Sequence, residues 1–173
     1  MKVIIAAGGT GGHIFPALSV ALEWRRQNPD VELLWIGTTR NREQELCKEH
    51  GMRIVTISVR GFDRKANLKA LQAVAGFGRS VVRIRSLIRR EKPDAILAFG
   101  GYVSASVLMA ARLGTTTFYM HEQNTVPGLV TRMFCGAAQC TFLGFPLREK
   151  PALRGKSVVV GTPVRRVRGP YHD

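Results

Sequence analysis

No run of about 18 uncharged apolar residues occurs anywhere in the sequence, so nothing in it reads as a membrane-spanning helix. Met1-Lys2-Val3 leads straight into a short apolar run and then glycines, without the small-residue cleavage site of a secretory signal; a cytoplasmic chain is expected. Cysteine is scarce. Cys47, Cys135 and Cys140 show neither a Cys-x-x-Cys spacing nor an even count, which argues against a disulfide framework and a zinc site and predicts three reduced core thiols. Acidic residues are few as well, 12 against 26 lysines and arginines, and the resulting net charge of +14 predicts affinity for something anionic. Nucleic acid, an anionic membrane and a phosphorylated ligand all meet that description. Aromatic residues make up only 8% and are not interleaved with basic ones as a nucleic-acid module requires, so no nucleic-acid partner is expected.

What the sequence does contain is a regular alternation of short apolar runs and helical patterns. Lys2 to Ala7 reads as a strand closed by Gly8-Gly9, and Ile14 to Arg26 as a helix with Pro16 in its first turn. Strands are expected again at Val31–Ile36, Arg53–Val59, Asp94–Phe99, Thr115–Met120, Gln139–Phe142 and Lys156–Val160. Between them fall helical segments at Arg42–His50, Asn67–Arg90, Val103–Arg112 and Val126–Ala137. This pattern predicts a Rossmann-like α/β domain, a doubly wound parallel sheet with helices on both faces. Residues 1–165 are assigned to that domain, and 166–173 to a basic tail or the start of an interdomain linker. In such sheets ligands gather beyond the carboxyl ends of the strands, so the turns after residues 7, 37, 99, 120 and 160 are where function is expected.

The most informative turn is Gly8-Gly9-Thr10-Gly11-Gly12-His13. Four glycines between a strand and a helix let the backbone approach a ligand and aim amides at an anion near a helix N-terminus. It is neither a dinucleotide fingerprint, since Ile14 stands where a third glycine is needed, nor a Walker loop, since no Lys-Ser/Thr follows. His13, at the junction with the helix, is placed either to take a proton from a sugar hydroxyl or to bind phosphate. Gly100-Gly101-Tyr102-Val103-Ser104 repeats the arrangement after the fourth strand and suggests one extended diphosphate site, with Tyr102 available to stack or hydrogen-bond. His121-Glu122-Gln123-Asn124 sets four polar side chains after the fifth strand, where Glu122 competes with His13 as proton acceptor or orients it. Gly161-Thr162-Pro163-Val164-Arg165 ends the last strand with an arginine suited to phosphate. The basic amphipathic segment 67–90 combines helical apolar spacing with arginines. Its Ile84 and Ile88 are expected in the core, and Leu68, Leu71 and Phe77 against an anionic lipid surface.

Taken together, in order and spacing, the Gly8–His13 loop with Pro16-Ala17-Leu18, the Gly100–Ser104 loop, His121–Asn124 with Gly128-Leu129, Phe145-Pro146 and the Gly161–Arg165 turn resemble the MurG family. These are undecaprenyl-pyrophosphoryl-muramoylpentapeptide N-acetylglucosaminyltransferases. The resemblance covers residues 1 to about 166 and implies the N-terminal, acceptor-binding half of a GT-B glycosyltransferase, with a donor domain to follow. It further implies inverting transfer of GlcNAc from UDP-GlcNAc to the muramoyl 4-hydroxyl of lipid I. No metal or other cofactor is implied, and the setting is the cytoplasmic face of the bacterial plasma membrane. By the same resemblance His13 would be the base with Glu122 in reserve. Thr10, Gly11, Gly12, Asn124 and Arg165 would touch UDP-GlcNAc, and the glycine loops with Tyr102 would hold the diphosphate and sugar of lipid I. Two positions depart from the family pattern: Thr162 stands where asparagine is usual before the proline, and Ala105-Ser106 replaces Gly-Pro after Ser104. A stand-alone acceptor subunit needing a separate donor-binding chain, as in the two-subunit GlcNAc transferase of eukaryotic N-glycan assembly, is the alternative.

Overall fold

The structure, a computed structural model, describes residues 1–39, 41–58, 68–148 and 153–164, the side chains of 41, 42 and 68–71 excepted. Described strands β1 (Lys2–Ala6), β2 (Glu32–Thr38), β3 (Arg53–Ile57), β4 (Ala95–Ala98), β5 (Phe118–Glu122), β6 (Thr141–Leu143) and β7 (Ser157–Val159) form one parallel sheet in the order β3-β2-β1-β4-β5-β6-β7. The helices are α1 (Gly11–Gln27), α2 (Asn41–Glu49), α3 (Leu68–Glu91), α4 (Gly101–Arg112) and α5 (Leu129–Phe134), the last continued by a 3₁₀ turn over Cys135–Ala137.

Strand alternation sorts the core into two layers. Val3 and Ile5 of the first strand, with Ala7 just beyond it, pack with Ile14, Ala17, Leu18 and Ala21 of α1 and with Trp35, Leu97 and Phe99. Ile4 and Ala6 face the other way, onto Val81, Ile84, Leu87 and Ile88 of α3 and Val103, Val107 and Leu108 of α4. Ile84 and Ile88 are therefore core, as the helical spacing predicts, and all three cysteines are free and buried. No described helix is long and apolar enough to cross a membrane.

Because β1 pairs with β2 on one side and β4 on the other, the order of strands reverses at β1/β4. The loops leaving neighbouring strands there depart toward opposite faces of the sheet and leave a crevice between them. Those two loops are the two glycine-rich turns, so topology alone places them side by side. Most boundaries shift by one or two residues from those expected, and three of the shifts bear on the site. Helix α1 starts at Gly11 rather than Ile14, so two of the loop's glycines form its first turn. Strand β5 spans Phe118–Glu122 instead of Thr115–Met120, which makes His121 and Glu122 its last two residues rather than a loop. The segment Val126–Ala137 is helical only from Leu129. Residues 165–173, with Arg165 and the proposed tail, lie outside the described residues.

Candidate active site

His13 is held in the crevice by both glycine loops. Thr10 is the N-cap residue of α1, but its hydroxyl makes no cap; Oγ1 lies 3.0 Å from His13 Nδ1 instead. Of the two tautomers this contact allows, the one in which the hydroxyl accepts from Nδ1–H leaves Nε2 unprotonated, as a proton acceptor needs. The second loop also stands against the imidazole. A Cβ built on Gly100 would lie 3.1 Å from His13 Nε2, and one on Gly101 3.4 Å from Nδ1 and 3.3 Å from the Gly8 carbonyl oxygen. Gly100 and Gly101 also have φ of 89° and 77°, a backbone region open to glycine and strained for most other residues. The second loop is thus glycine because the histidine occupies the space a side chain would fill. Tyr102 follows, half-exposed, at the start of α4.

Burial pushes the His13 imidazole below its ordinary value of 6.5, and the negative charge of Glu122 offsets part of that. His121, buried beside Phe99 with ring centroids 5.4 Å apart, is likewise lowered by burial and partly restored by the Gly161 carbonyl that its Nε2 approaches at 3.3 Å. A histidine whose folded-state value is depressed favours the unfolded chain on protonation. The fold should therefore keep its full stability above about pH 6.5 and lose some as pH falls from there through the lowered values. Thermal unfolding between pH 7.5 and 5 checks this, and His121→Phe should flatten the dependence.

Glu122 is buried and saturated. Its Oε1 accepts from the Asn124 backbone amide at 3.0 Å and Asn124 Nδ2 at 2.8 Å, and its Oε2 from the Gly128 amide at 2.9 Å and Thr131 Oγ1 at 2.5 Å. Four donors converging on one carboxylate tie the end of β5 to the start of α5 and fix the turn that carries Asn124. This arrangement orients neighbours and supplies negative charge toward His13; both oxygens are already engaged.

The sequence reading passed over Glu43. It lies in the first turn of α2, only 1% exposed, and its carboxylate takes hydrogen bonds from the Gly9 amide and Thr38 Oγ1, both at 2.8 Å, and from the Thr38 amide. A Cβ on Gly37 would fall 2.4 Å from Glu43 Oε2, and one on Gly8 3.0 Å. Two of the glycines at strand ends are there to admit a carboxylate. The signal in sequence was Gly37 itself, a glycine ending a strand beside a glycine loop.

Of the other expected site residues, Gly11 and Gly12 form the first turn of α1 with Gly12 exposed, Thr10 and Asn124 are exposed, and Arg165 is not described. Phe77 is half-buried against the core layer of α3, the side chains of Leu68 and Leu71 lie outside the described residues, and Val74 and Val82 are the large apolar residues exposed among the described side chains of that helix.

Residues 3–143 match the glycosyltransferase family 28 N-terminal domain. The chain belongs to that family. Family 28 relatives from Moorella thermoacetica and Desulforudis audaxviator, each a UDP-N-acetylglucosamine–N-acetylmuramyl-(pentapeptide) pyrophosphoryl-undecaprenol N-acetylglucosamine transferase, are both 40% identical over 95% of the chain. The alignments take in 45% and 44% of those relatives, so the chain spans less than half of their length. The crystal structure of Acinetobacter baumannii MurG superposes with a TM-score of 0.74 at 30% identity, over 90% of this chain and 44% of that one. A UDP-N-acetylglucosamine 2-epimerase shares the fold at a TM-score of 0.61 and 16% identity. The MurG-family resemblance read from the motifs, and the Rossmann-like GT-B fold expected with it, are borne out by these matches.

Proposed function

We propose that this chain is the acceptor-binding half of an inverting, UDP-GlcNAc-dependent transferase that adds GlcNAc to lipid I at a membrane surface. The observation that carries the proposal is His13, half-buried at the strand-order reversal, with its ring between two glycine turns and Nδ1 engaged by Thr10. Nε2 of His13 removes the proton of the muramoyl 4-hydroxyl as that oxygen attacks the anomeric carbon of GlcNAc. The bond from that carbon to the UDP oxygen breaks, UDP leaves with the electron pair, and the configuration inverts. Lowered basicity keeps His13 neutral, and so competent, below the pH at which a free imidazole charges. Glu122 holds Asn124 in place and, through its negative charge, favours the imidazolium formed in the step. The names carried by the relatives support the donor and the acceptor assigned here.

Binding of a water-soluble, short-chain lipid I analogue tests the reading. The isolated chain should bind it with a shift of the His13 ring resonances in NMR, and a His13-silent titration would count against it.

Helix α3, with the exposed Val74 and Val82 beside Arg79 and Arg83, is proposed as the membrane contact. Each inserted valine adds about 1.5 kcal/mol and each nearby basic residue roughly 1 kcal/mol. Val74→Glu with Val82→Glu should therefore lower partition to cardiolipin-containing vesicles about tenfold or more in sedimentation, with the circular dichroism spectrum unchanged. Equal partition would assign the patch to ordinary surface.

A further inference from the structure

We propose that Glu43 is a specificity-determining residue of the glycine loop, closing its Gly8-Gly9 half to phosphate and confining an acceptor's diphosphate to the Thr10–His13 half. The inference rests on the diphosphate reading given above.

A glycine loop between a strand and a helix attracts anions because its amides converge on one point. Here that point is partly taken. The Gly9 amide, which the sequence pattern offers to a ligand, donates to Glu43 Oε1 at 2.8 Å. The Thr38 hydroxyl donates to the same oxygen at 2.8 Å, and the Thr38 amide to Oε2. Three donors meet two oxygens that act as acceptors only, the bonding pattern of an ionised carboxylate. The space it needs comes from missing side chains, since a Cβ on Gly8 or Gly37 would stand 3.0 Å and 2.4 Å from Oε2.

The loop therefore carries its own anion, supplied from α2. A phosphate oxygen seeking the Gly9 amide would compete for a hydrogen already used and would stand within a few ångströms of a like charge that is 1% exposed and poorly screened. On the other half of the loop no carboxylate intervenes: the His13 amide donates to the Thr10 carbonyl at 3.1 Å and the Phe15 ring lies against Gly11, while Gly11 and Gly12 open α1 and the nearest side-chain atom to a Cβ on Gly12 is Thr10 Oγ1 at 3.9 Å. This division places negative charge next to His13 rather than under Gly8. A neutral group, such as a sugar hydroxyl or amide carbonyl, would not be repelled from the Gly8-Gly9 half.

The test titrates inorganic pyrophosphate into the uniformly ¹⁵N-labelled chain and follows backbone amide shifts. In the unaltered chain the amides of residues 10–13 should move while Gly9 stays nearly still. Glu43→Gln, which removes the charge at constant size, should bring Gly9 into the responding set and tighten binding about tenfold. Glu43→Asp, which keeps the charge, should show no gain. Gly9 moving as far as its neighbours in the unaltered chain overturns the proposal, and that result is available even if a variant fails to fold. A Glu43→Gln chain that folds and binds no tighter overturns it too, as does pyrophosphate bound by neither form. If only the variant binds, closure of the Gly8-Gly9 half by Glu43 stands, and confinement to the Thr10–His13 half fails together with the diphosphate reading of the loop.

Discussion

Replacing His13 by alanine, in this chain joined to a donor-binding half, should lower the turnover number about 100-fold to 10,000-fold while changing apparent affinity for either substrate only slightly. A general base acts on the transition state, so its loss falls on kcat; a residue that only binds phosphate acts on the ground state, so its loss falls on KM. The pH profile separates the two further. Burial holds the imidazole below 6.5, and the base is active when neutral. The rate of the unaltered enzyme should therefore stay level as pH drops to 6.5 and decline only below it. In His13→Ala that acid limb should vanish. A raised KM with the limb unmoved would make His13 a binding residue and return the base assignment to Glu122.

Glu122→Ala should behave as a folding mutant first. It strips the acceptor from two backbone amides, the Asn124 carboxamide and the Thr131 hydroxyl, the last only 1% exposed. Hydrogen bonds to a charged group are each worth roughly 1.5–3 kcal/mol, and buried donors left unpaired add a penalty. With partial rehydration of the exposed donors the loss should come to about 3–5 kcal/mol, which for a domain of this size lowers the Tm by about 6–20 °C. Glu122→Gln keeps the shape and one good acceptor, so it should recover part of the stability. If instead both variants fold like the parent and both abolish transfer in the joined enzyme, Glu122 is the base and the scaffold role given to it here is wrong. Differential scanning calorimetry beside the transfer assay decides between them.

The sheet was legible because its strands are short apolar runs punctuated by glycine, and every expected strand is present within a few residues. Boundaries slipped where polar side chains continue an element. His121 and Glu122 read as loop because they are charged or polar, yet β5 pairs them with Phe142 and Leu143 and buries both. Gly11 and Gly12 read as loop because glycine is a poor helix former, yet a first turn needs no side chains and Thr10 nucleates it. His13 and the two glycine loops were legible as a site, since strand ends in a doubly wound sheet are where ligands collect. Glu43 was not. The segment Asn41–Glu49 contains three glutamates, and only the tertiary approach of Gly8 and Gly37 distinguishes the one that is buried from two that read as ordinary solvent-facing charge. Gly37 signals that something fills the space of its missing side chain, but no local pattern says which glutamate does. Glu122 was singled out for its type, but its four donors come from residues two to nine positions away, and their convergence depends on where α5 begins.

The most direct measurement is transfer of labelled GlcNAc from UDP-GlcNAc to a lipid I analogue, by this chain alone and by this chain fused to the donor-binding half of the Moorella thermoacetica relative. Most of a transferase's effect comes from positioning two substrates against each other, on the order of 7 to 11 kcal/mol in favourable cases, and one half of the cleft cannot supply it. No appreciable product is expected from the chain alone, and robust, His13-dependent lipid II formation from the fusion. Robust transfer by the isolated chain, or a folded fusion that binds the analogue and transfers nothing, would contradict it.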